Sequence, residues 1–347
     1  MNVTTVGIDL AKLVFQVHGV DGHGKAVIRK QLKRTDVAKF FANLPACLIG
    51  MEACSSAHHW ARKLVALGHT VKLMAPQFVK PYVKTNKNDA RDAEAICEAV
   101  ARPNMRFVPI KDVEQQVLLG LHRARQGFVK ARTAQVNQIR GLLAEFGIVM
   151  PKGARFIAQQ MPGILEDGEN GLPHRSRELF AQLLAHFRDL DRQMDELGRQ
   201  IKEWHRQSEQ SRRLEKIPGL GPLSASGVVA SIGDAKTFRN GRQFAAWLGL
   251  VPRQKSSGGK DQLLGISKRG DTYLRTLLIH GARSVLFSLK RRGEPAAGWL
   301  MRLADRRNPN IAAVALANKN ARIIWALLAH GREYQAGYVS SSIAVAS

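Results

Sequence analysis

The stretch TTVGIDLAKLVFQVHGVDGHGKAVIRKQL, residues 4–32, predicts three consecutive β-strands. TTVGIDL is a short β-branched run, LVFQVHGV follows it, and the turn DGHGK separates both from AVIRKQL. Apolar runs of this length with polar, glycine-rich turns are typical of an antiparallel meander. The turn lacks the strand–loop–helix context of a phosphate-binding loop, so we interpret it as a hairpin turn.

Helices and strands alternate after this meander. RTDVAKFFANL predicts a helix with Thr35 as its cap, CLIGME a buried strand, SSAHHWARKLVALG a serine-capped helix, and HTVKLM another strand. Three antiparallel strands followed by alternating helix and strand are typical of an RNase H-like sheet that is partly parallel. The fold class is therefore α/β plus α, with an RNase H-like domain at residues 1–155 that includes a long helix.

The middle of the chain predicts a coiled coil. The composition around MPGILEDGENGLPHRS indicates a loop, and a helix with steps of three and four between apolar residues follows it. The members of this heptad seam are Phe180, Leu183, Phe187, Leu190, Met194, Leu197, Ile201 and Trp204. Such a seam packs either between chains or against the preceding long helix, and residues 156–212 are assigned to this loop and helix.

A mainly helical C-terminal domain is predicted at residues 213–335. IPGLGPLSASGVVASIG places Gly219 and Gly221 in a tight turn between helices and resembles a helix-hairpin-helix element. Backbone amides at such a helix start bind a phosphate without reading sequence, although glycines between helices also serve packing alone. Residues 336–347 predict a disordered tail.

The net charge favours a nucleic-acid partner. The 347 residues contain 53 lysines and arginines against 28 acids, which gives a formal charge of +25. A charge of this size attracts polyanions from a distance. Another kind of basic soluble protein, such as a ribosome-associated factor, would show the same excess of basic over acidic residues and is the alternative. A membrane surface is disfavoured because the cations are spread along the chain.

The residues that we expect to contact nucleic acid are cations and turn glycines. Residues 250–347 hold 16 lysines and arginines against five acids, and further cations precede the acidic segment that begins at Asp89. The predicted contacts are Lys84, Lys87, Gly219, Gly221, Arg253, Lys255, Lys260, Lys268 and Arg269.

The sequence predicts a cytoplasmic protein of bacterial type, associated with the nucleoid. The N-terminus does not resemble a signal peptide, and the apolar segment NIAAVALANKNARIIWALLAHG is broken by polar residues, as in a soluble amphipathic helix. The three cysteines form no C-x-x-C pair, which favours a reduced compartment. A zinc site of Cys54, His58 and His59 is the alternative to a packing role for these residues.

Four acids fall where an RNase H-like sheet would bring them together. Asp9 ends the first strand, Glu52 ends the strand CLIGME, and Asp89 and Asp92 share one face of a helix. Oxygen-only ligation favours Mg²⁺ or Mn²⁺, and two such ions clamp the attacking and leaving oxygens of a phosphodiester. The alternative is that Asp89 and Asp92 only stabilise a helix start.

Three blocks of the sequence resemble one family. VGIDLAK, IGMEACSSAHHWA and NKNDARDAEAI resemble the Asp, Glu and Asp-x-x-Asp blocks of the RuvC-like domain in bridge-RNA-type insertion-sequence transposases. These are DEDD recombinases related to the Piv-type DNA invertases. Residues 217–271 resemble the C-terminal serine transposase domain of that family. The resemblance extends from about residue 5 to about residue 330, in the order of the family.

The resemblance implies the site residues. The four acids match the metal-binding set, whereas Glu94 and Glu98 fall outside it. The family's nucleophilic serine precedes a glycine, which points to Ser257 and not Ser256 in PRQKSSGGK. From the residues alone, this segment is a flexible loop flanked by cations, and a free serine needs a base or a metal to become a nucleophile.

The resemblance also implies a mechanism and partners. Ser257 attacks the scissile phosphate to form a phosphoserine and release a 3′ hydroxyl, while the metal site polarises the phosphate and assists loss of the serine proton. Attack by a new 3′ end then reverses the linkage. The implied partners are donor and target DNA, an element-encoded bridge RNA as guide, and further copies of the chain in a dimer or tetramer. Relatives pair the RuvC-like domain of one protomer with the serine domain of another.

Two other functions remain open on the sequence. A metal-dependent junction nuclease that acts by water attack would need the four acids but not Ser257. A non-catalytic nucleic-acid-binding protein would need neither, and its acids would have structural roles only.

Overall fold

The computed structural model describes residues 2–84, 89–292 and 298–336. The chain forms two compact units, Met1–Gln116 and Val117–Ser347. Lys87 and the predicted tail from residue 337 onwards lie outside the described residues.

The first unit is built on a six-stranded mixed sheet. Its strands are β1 (Thr5–Leu10), β2 (Val14–Val20), β3 (Ala26–Lys33), β4 (Leu48–Glu52), β5 (Thr70–Met74) and β6 (Phe107–Val108). The order is β3-β2-β1-β4-β5-β6. The meander β1–β2–β3 is antiparallel, β4 pairs parallel with both β1 and β5, and β6 pairs antiparallel with β5. The predicted mixed sheet is therefore confirmed, with the first and fourth strands as neighbours.

Helices cover both faces of this sheet. They are α1 (Val37–Ala42), α2 (Ala57–Ala66), α3 (Pro76–Val79) and α4 (Asp89–Val100), with a 3-10 turn at Lys80–Tyr82. Val6 and Ile8 of β1 are buried in one apolar cluster with α1 and α2. Alternate residues of a strand point to opposite faces, so Gly7 and Asp9 face the other side, where α4 contacts β1 and β4.

The predicted helix caps differ in detail from the structure. Helix α1 begins after Asp36, which occupies the N-cap position, and the Thr35 hydroxyl donates to the Asp36 carboxylate over 3.1 Å. Thr35 is therefore not the cap, because its hydroxyl bonds to the neighbouring side chain. Ser56 does precede α2, but it has a φ of 66° and its side chain makes no capping hydrogen bond.

The second unit is mainly helical. Its helices are α5 (Val113–Ala144), α6 (Ala154–Glu166), α7 (His174–Gln207), α8 (Glu209–Glu215), α9 (Pro222–Ile232), α10 (Gly241–Trp247), α11 (Thr272–Arg291), α12 (Trp299–Arg306) and α13 (Pro309–His330). A hairpin of β7 (Pro252–Ser257) and β8 (Lys260–Ile266) lies between α10 and α11. The segment predicted as a flexible loop is therefore a two-stranded ribbon.

Helix α6 contradicts the prediction of a loop around MPGIL. The helix continues through Pro162, which lacks a backbone donor, to Glu166. Ile157 and Met161 are fully buried in a cluster with α5 and α7, and this burial outweighs the local preference of proline for a break.

The heptad seam of α7 packs against α5 of the same chain. The Gln135 side chain donates to the Leu183 carbonyl over 3.2 Å, Arg132 forms an ion pair with Asp191, and Leu118 shares an apolar cluster with Ile201. As the residue numbers increase along α5, the numbers of the residues that they contact on α7 decrease, so the two helices are antiparallel. Of the two alternatives, the structure shows the contact with the preceding helix.

Helix α13 forms the centre of the C-terminal core. Its 22 residues make it the one helix in the described part of the chain that is long and apolar enough to cross a membrane by length and composition. Leu316, Ile324 and Leu327 are buried in a cluster with α9, α10 and α11. Asn320 is buried in the same helix and donates to the Pro218 carbonyl over 2.9 Å. These contacts are those of a core helix.

A buried histidine links three helices of the second unit. His122 of α5 contacts the Tyr273 hydroxyl through Nδ1 over 2.8 Å and Ser226 Oγ through Nε2 over 3.1 Å. Because the Ser226 hydroxyl donates its hydrogen to the Pro222 carbonyl, it accepts from Nε2–H, and Tyr273 donates to Nδ1. This network needs the neutral imidazole, and burial lowers the pKa of His122 to about 4.

We expect His122 to make the second unit less stable in mild acid. The pKa of this group lies below its ordinary value of 6.5, so its contribution is complete above pH 6.5 and is lost as the pH falls towards 4. The cost at pH 4 is on the order of 3 kcal/mol. Thermal unfolding from pH 7 to pH 4 should show a smaller fall in midpoint for His122→Gln than for the wild type. An equal fall in midpoint between pH 7 and pH 4 for the two proteins would contradict the role of His122 in this acid sensitivity.

Candidate metal centre and serine hairpin

Two glycines let α4 lie directly on the sheet. A Cβ on Gly7 would lie 2.2 Å from the Ala93 carbonyl oxygen and 2.4 Å from the Cys97 nitrogen, and one on Gly50 would lie 2.7 Å from Val100 Cβ. Only a residue without a side chain permits this approach. The first turn of α4 is thereby held beside the end of β1, on the face that carries Asp9.

This contact brings three of the four predicted acids together. Each of Asp9, Asp89 and Asp92 offers a carboxylate oxygen that lies within 4.8 Å of those of the other two. Asp89 is exposed, and Asp9 and Asp92 are partly buried. In the described part of the chain, this is the one group of three or more acids, histidines or cysteines that is close enough to hold an ion.

Glu52 lies beside this group on the neighbouring strand. It is the last residue of β4. Met51 pairs with Ile8 of the parallel strand β1, so the residues that follow them, Glu52 and Asp9, are neighbours across the two strands. Both point to the face that α4 covers, because they alternate with buried residues of the opposite face. Their proximity also acts on Cys54: burial raises the pKa of its thiol, and the charges of Glu52 and Asp9 raise it further. Glu52 is not a member of the group within 4.8 Å.

The donor set fits a hard divalent cation. It consists of carboxylate oxygens alone, which suit Mg²⁺ and Mn²⁺. Oxygens that share one octahedral Mg²⁺ lie roughly 3 to 4.2 Å apart, so the three carboxylates would approach one another on binding an ion. The alternative zinc set is not assembled, since the His58 Nδ1 accepts from the Lys111 amide over 3.2 Å and Nε2 contacts the Lys111 ammonium.

Glu98 of α4 pairs with nearby cations and not with the acidic group. Glu98 pairs with Lys84 over 3.3 Å and with Arg102 over 2.5 Å, and both cations lower its pKa, Arg102 the more strongly. This agrees with the interpretation of Glu98 as helix surface. Lys84, a predicted DNA contact, is thus already paired with a carboxylate, although its side chain remains largely exposed.

The two serines of the hairpin lie on opposite faces of the ribbon. Gly258 and Gly259 both have positive φ, as a tight hairpin turn requires, and Ser257 pairs directly with Lys260 across it. Ser257 shares its face with Lys255 and Lys260, because alternate and directly opposed residues lie on the same side. Ser256 pairs with Asp261 and donates to its carboxylate over 2.5 Å.

Charge distinguishes these two faces. Hydrogen bonds from Ser256 and, to a smaller extent, Gln254 lower the pKa of Asp261, so its carboxylate is ionised at neutral pH. A phosphate that approached Ser256 would meet this negative charge. At Ser257 it would meet Lys255 and Lys260, which form no ion pair within the described ranges.

The base of the hairpin is fixed by buried backbone contacts. The Ser267 amide donates to the Val251 carbonyl over 2.8 Å, and the backbone at Gly249 lies against that of Arg269. Arg275 is buried beside them and donates to the carbonyls of Leu248 and Arg269 over 3.1 and 3.2 Å. Sequence reasoning gave Arg275 no role, and an isolated arginine in an apolar helix carries no signal that would have identified it.

Gly219 and Gly221 lie in the turn between α8 and α9, as predicted. Gly219 has a φ of 89°, and a Cβ there would lie 2.8 Å from the Gly281 carbonyl oxygen. Gly221 is the N-cap residue of α9. The structure therefore gives Gly219 a packing role against α11, and the phosphate contact of both glycines stays a prediction.

Comparison with known proteins identifies two matching families. Residues 6–148 match the family DEDD_Tnp_IS110, described as a transposase, and residues 211–295 match the family described as Transposase IS116/IS110/IS902. A probable family 20 transposase of Pseudomonas aeruginosa is 54% identical over 97% of this chain and 100% of its own length. Transposases for the insertion sequence elements IS1111A of Coxiella burnetii and IS1328 of Yersinia enterocolitica are 45% and 43% identical over 97% and 95% of this chain, and over 92% and 98% of their own lengths.

We expect Gly7→Ala to disrupt the first unit, because the added methyl group would collide with the backbone of α4. Overpacking of this kind costs about 1–3 kcal/mol or more, which thermal unfolding measures. Gly22→Ala is the control, since its added methyl group would meet one atom at 3.9 Å. Equal midpoints for the two variants would contradict the role of Gly7.

We expect Asp92→Asn to weaken divalent-ion binding, because it removes one anionic ligand. In the wild type, Mg²⁺ or Mn²⁺ should raise the free energy of unfolding of the first unit by about 2.7 kcal/mol at a hundred times the dissociation constant, which shifts its thermal midpoint upwards. Asp92→Asn should lose most of this shift, and Glu98→Gln on the same helix should retain it. A shift of equal size in all three proteins would exclude this metal centre.

Proposed function

This chain belongs to the IS110/IS116/IS902 family of insertion-sequence transposases, and on that premise we propose that it cuts and rejoins DNA through Ser257, assisted by Mg²⁺ or Mn²⁺ at Asp9, Glu52, Asp89 and Asp92. The observation that carries the proposal is the convergence of Asp9, Asp89 and Asp92 from two separate segments of sequence onto one point. A cluster of carboxylates is needed for metal-assisted chemistry on a phosphodiester, and the mutual repulsion of its members makes it costly without a cation.

We assign the first unit to the RuvC-like, RNase H-type fold. Its strand order, with an antiparallel meander followed by parallel strands next to β1, supports this assignment. So does the position of the carboxylates, on the ends of adjacent strands and on a helix that crosses the same face. Glu52 is included because it ends the strand next to β1, in register beside Asp9, which supports a shared role in binding a cation.

Ser257 is the better nucleophile of the two hairpin serines. Its hydroxyl shares a face with Lys255 and Lys260, which neutralise a phosphate, whereas the Ser256 hydroxyl is held by Asp261. The turn formed by Gly258 and Gly259 places Ser257 at the exposed end of the ribbon, where a DNA backbone has access to it.

In the proposed reaction, Ser257 Oγ forms a bond to the scissile phosphorus and the bond to the 3′ oxygen breaks. The serine proton passes to the departing oxygen, which leaves as a 3′ hydroxyl, and the reverse steps join the phosphate to a new 3′ end. Lys255 and Lys260 hold the phosphate and balance its charge in both directions. A bound divalent cation would act as a Lewis acid on the phosphate oxygens and lower the pKa of the nucleophile.

We further propose that an element-encoded RNA guides the chain and that it acts as a homo-oligomer. The guide rests on the family resemblance together with the net charge of +25, which suits more than one nucleic-acid partner. For the oligomer, the α7 seam is already filled by α5, so copies of the chain would associate through other surfaces.

We expect Ser257→Ala and Asp9→Asn each to abolish recombination in cells that carry the gene with its native flanks, while Ser256→Ala retains it. The measurement is amplification across the outward-facing ends of the element, which detects circular or rejoined junctions. Western blotting establishes that all variants accumulate equally.

The outcomes separate the proposed chemistry from the nuclease alternative. Junctions that form in Ser257→Ala but not in Asp9→Asn would refute the phosphoserine and favour water attack at the metal centre. Junctions lost in Ser256→Ala alone would assign the nucleophile to the other face of the hairpin.

A further inference from the structure

A cationic cavity lies where α7, α8 and α9 meet. It has a volume of about 230 Å³ and is lined by Lys202, His205, Arg206, Arg212, Glu215 and Pro222. A water molecule occupies roughly 30 Å³ in the liquid, so the cavity has room for a phosphate group and several waters. None of these residues belongs to the metal centre or to the hairpin.

A buried histidine fixes the shape of this cavity. The side chain of His205 is only 5% exposed and lies at the end of α7. Its Nε2–H donates to the Glu215 carboxylate over 2.9 Å, and its Nδ1 forms a hydrogen bond with the Ser211 hydroxyl over 2.7 Å. Because Ser211 and Glu215 both belong to α8, these two hydrogen bonds set the angle between α7 and α8.

The charge of the lining suits an anion. Three cations face one carboxylate, Glu215, which is already engaged by His205. Arg206 pairs with Glu203 over 2.8 Å, but Lys202 and Arg212 are exposed and form no ion pair within the described part of the chain. Two positive charges are thus available without the loss of an existing bond.

The start of α9 adds a further attraction. Pro222 is the first residue of this eleven-residue helix and lines the cavity, so the positive end of the helix dipole lies at its wall. A groove of about 360 Å³ continues from the cavity along α7, and Arg199 extends the row formed by Lys202 and Arg206. Arg199 and Arg206 are seven residues apart, which is roughly 10 Å along the helix axis. This distance exceeds the spacing of adjacent phosphates in a strand, so the row is long enough to contact more than one phosphate.

We propose that this cavity binds a backbone phosphate of a nucleic acid, with Lys202 and Arg212 as the phosphate ligands and the groove along α7 as the path of the strand. The proposal rests on the proposed function, in which the chain handles DNA and a guide RNA, and it names a binding site for them apart from the chemistry. Both nucleic acids offer the same phosphodiester, and the experiment distinguishes them.

The test is equilibrium binding of the full chain without divalent ions over a range of salt concentrations. Two labelled probes are used, a short DNA duplex and an RNA hairpin with the same number of phosphates. The variant Lys202→Gln/Arg212→Gln is compared with Arg175→Gln/Arg188→Gln, which removes the same charge from exposed positions of α7 outside the cavity. Thermal unfolding establishes that both variants are folded.

We expect the cavity variant to lose affinity about tenfold for at least one probe, because two phosphate contacts are removed. The slope of log affinity against log salt should become shallower by about 2 for the DNA duplex, and by slightly less for the RNA hairpin if its single-stranded loop makes the contacts. The control variant should retain the wild-type slope. The probe that shows the change identifies the source of the phosphate.

Two results would overturn the proposal: an unchanged slope for both probes, or a loss of affinity no greater than in the control variant. The assay does not depend on Ser257 or on the carboxylates. If the wild type forms junctions and the cavity variant keeps the wild-type slope, the cavity is refuted and the proposed chemistry is not. A reduced slope in the cavity variant, together with a wild type that forms no junctions, would support the cavity while the proposed chemistry fails its own test.

Discussion

The candidate active site depends on the close contact between α4 and the sheet at Gly7. The helix backbone lies where a side chain on Gly7 would be, and Asp9 follows two residues later on the same face. Asp89 and Asp92 occupy the turn of α4 that reaches beyond this contact. Like charges repel, so packing at Gly7 and Gly50 must supply the free energy that holds the carboxylates together until a cation relieves the repulsion.

The sequence predicts those parts of the fold that local patterns decide. Strands β1 to β5 follow from β-branched runs and turn residues, and two acids at strand ends indicate the site. The continuation of α6 through Pro162 depends on burial of Met161 among residues distant in sequence. Glu52 shows the same limit: its strand position is evident from the sequence, but the distance of its carboxylate from the others is set by packing of the whole unit.

The serine hairpin has a related explanation. PRQKSSGGK is polar throughout and resembles a flexible loop, because no apolar alternation indicates strands. An isolated two-stranded ribbon is marginal in water. Here the two glycines of the turn favour the hairpin locally, and the backbone contacts of Gly249 together with Arg275 fix its base. The register that results is what separates Ser257 from Ser256, and a register cannot be read from residues that have no buried face.

The two sides of α7 differ in their contacts. The seam residues pack against α5 and stabilise an antiparallel pair of helices within one chain. The row of Arg199, Lys202 and Arg206 lies on exposed surface and leads to the start of α9. A helix whose apolar stripe is satisfied by its own chain can present its cations in a fixed geometry, and side chains held by a rigid element lose less entropy when they bind. The same rigidity would serve the phosphate-binding role that we propose for this face of α7.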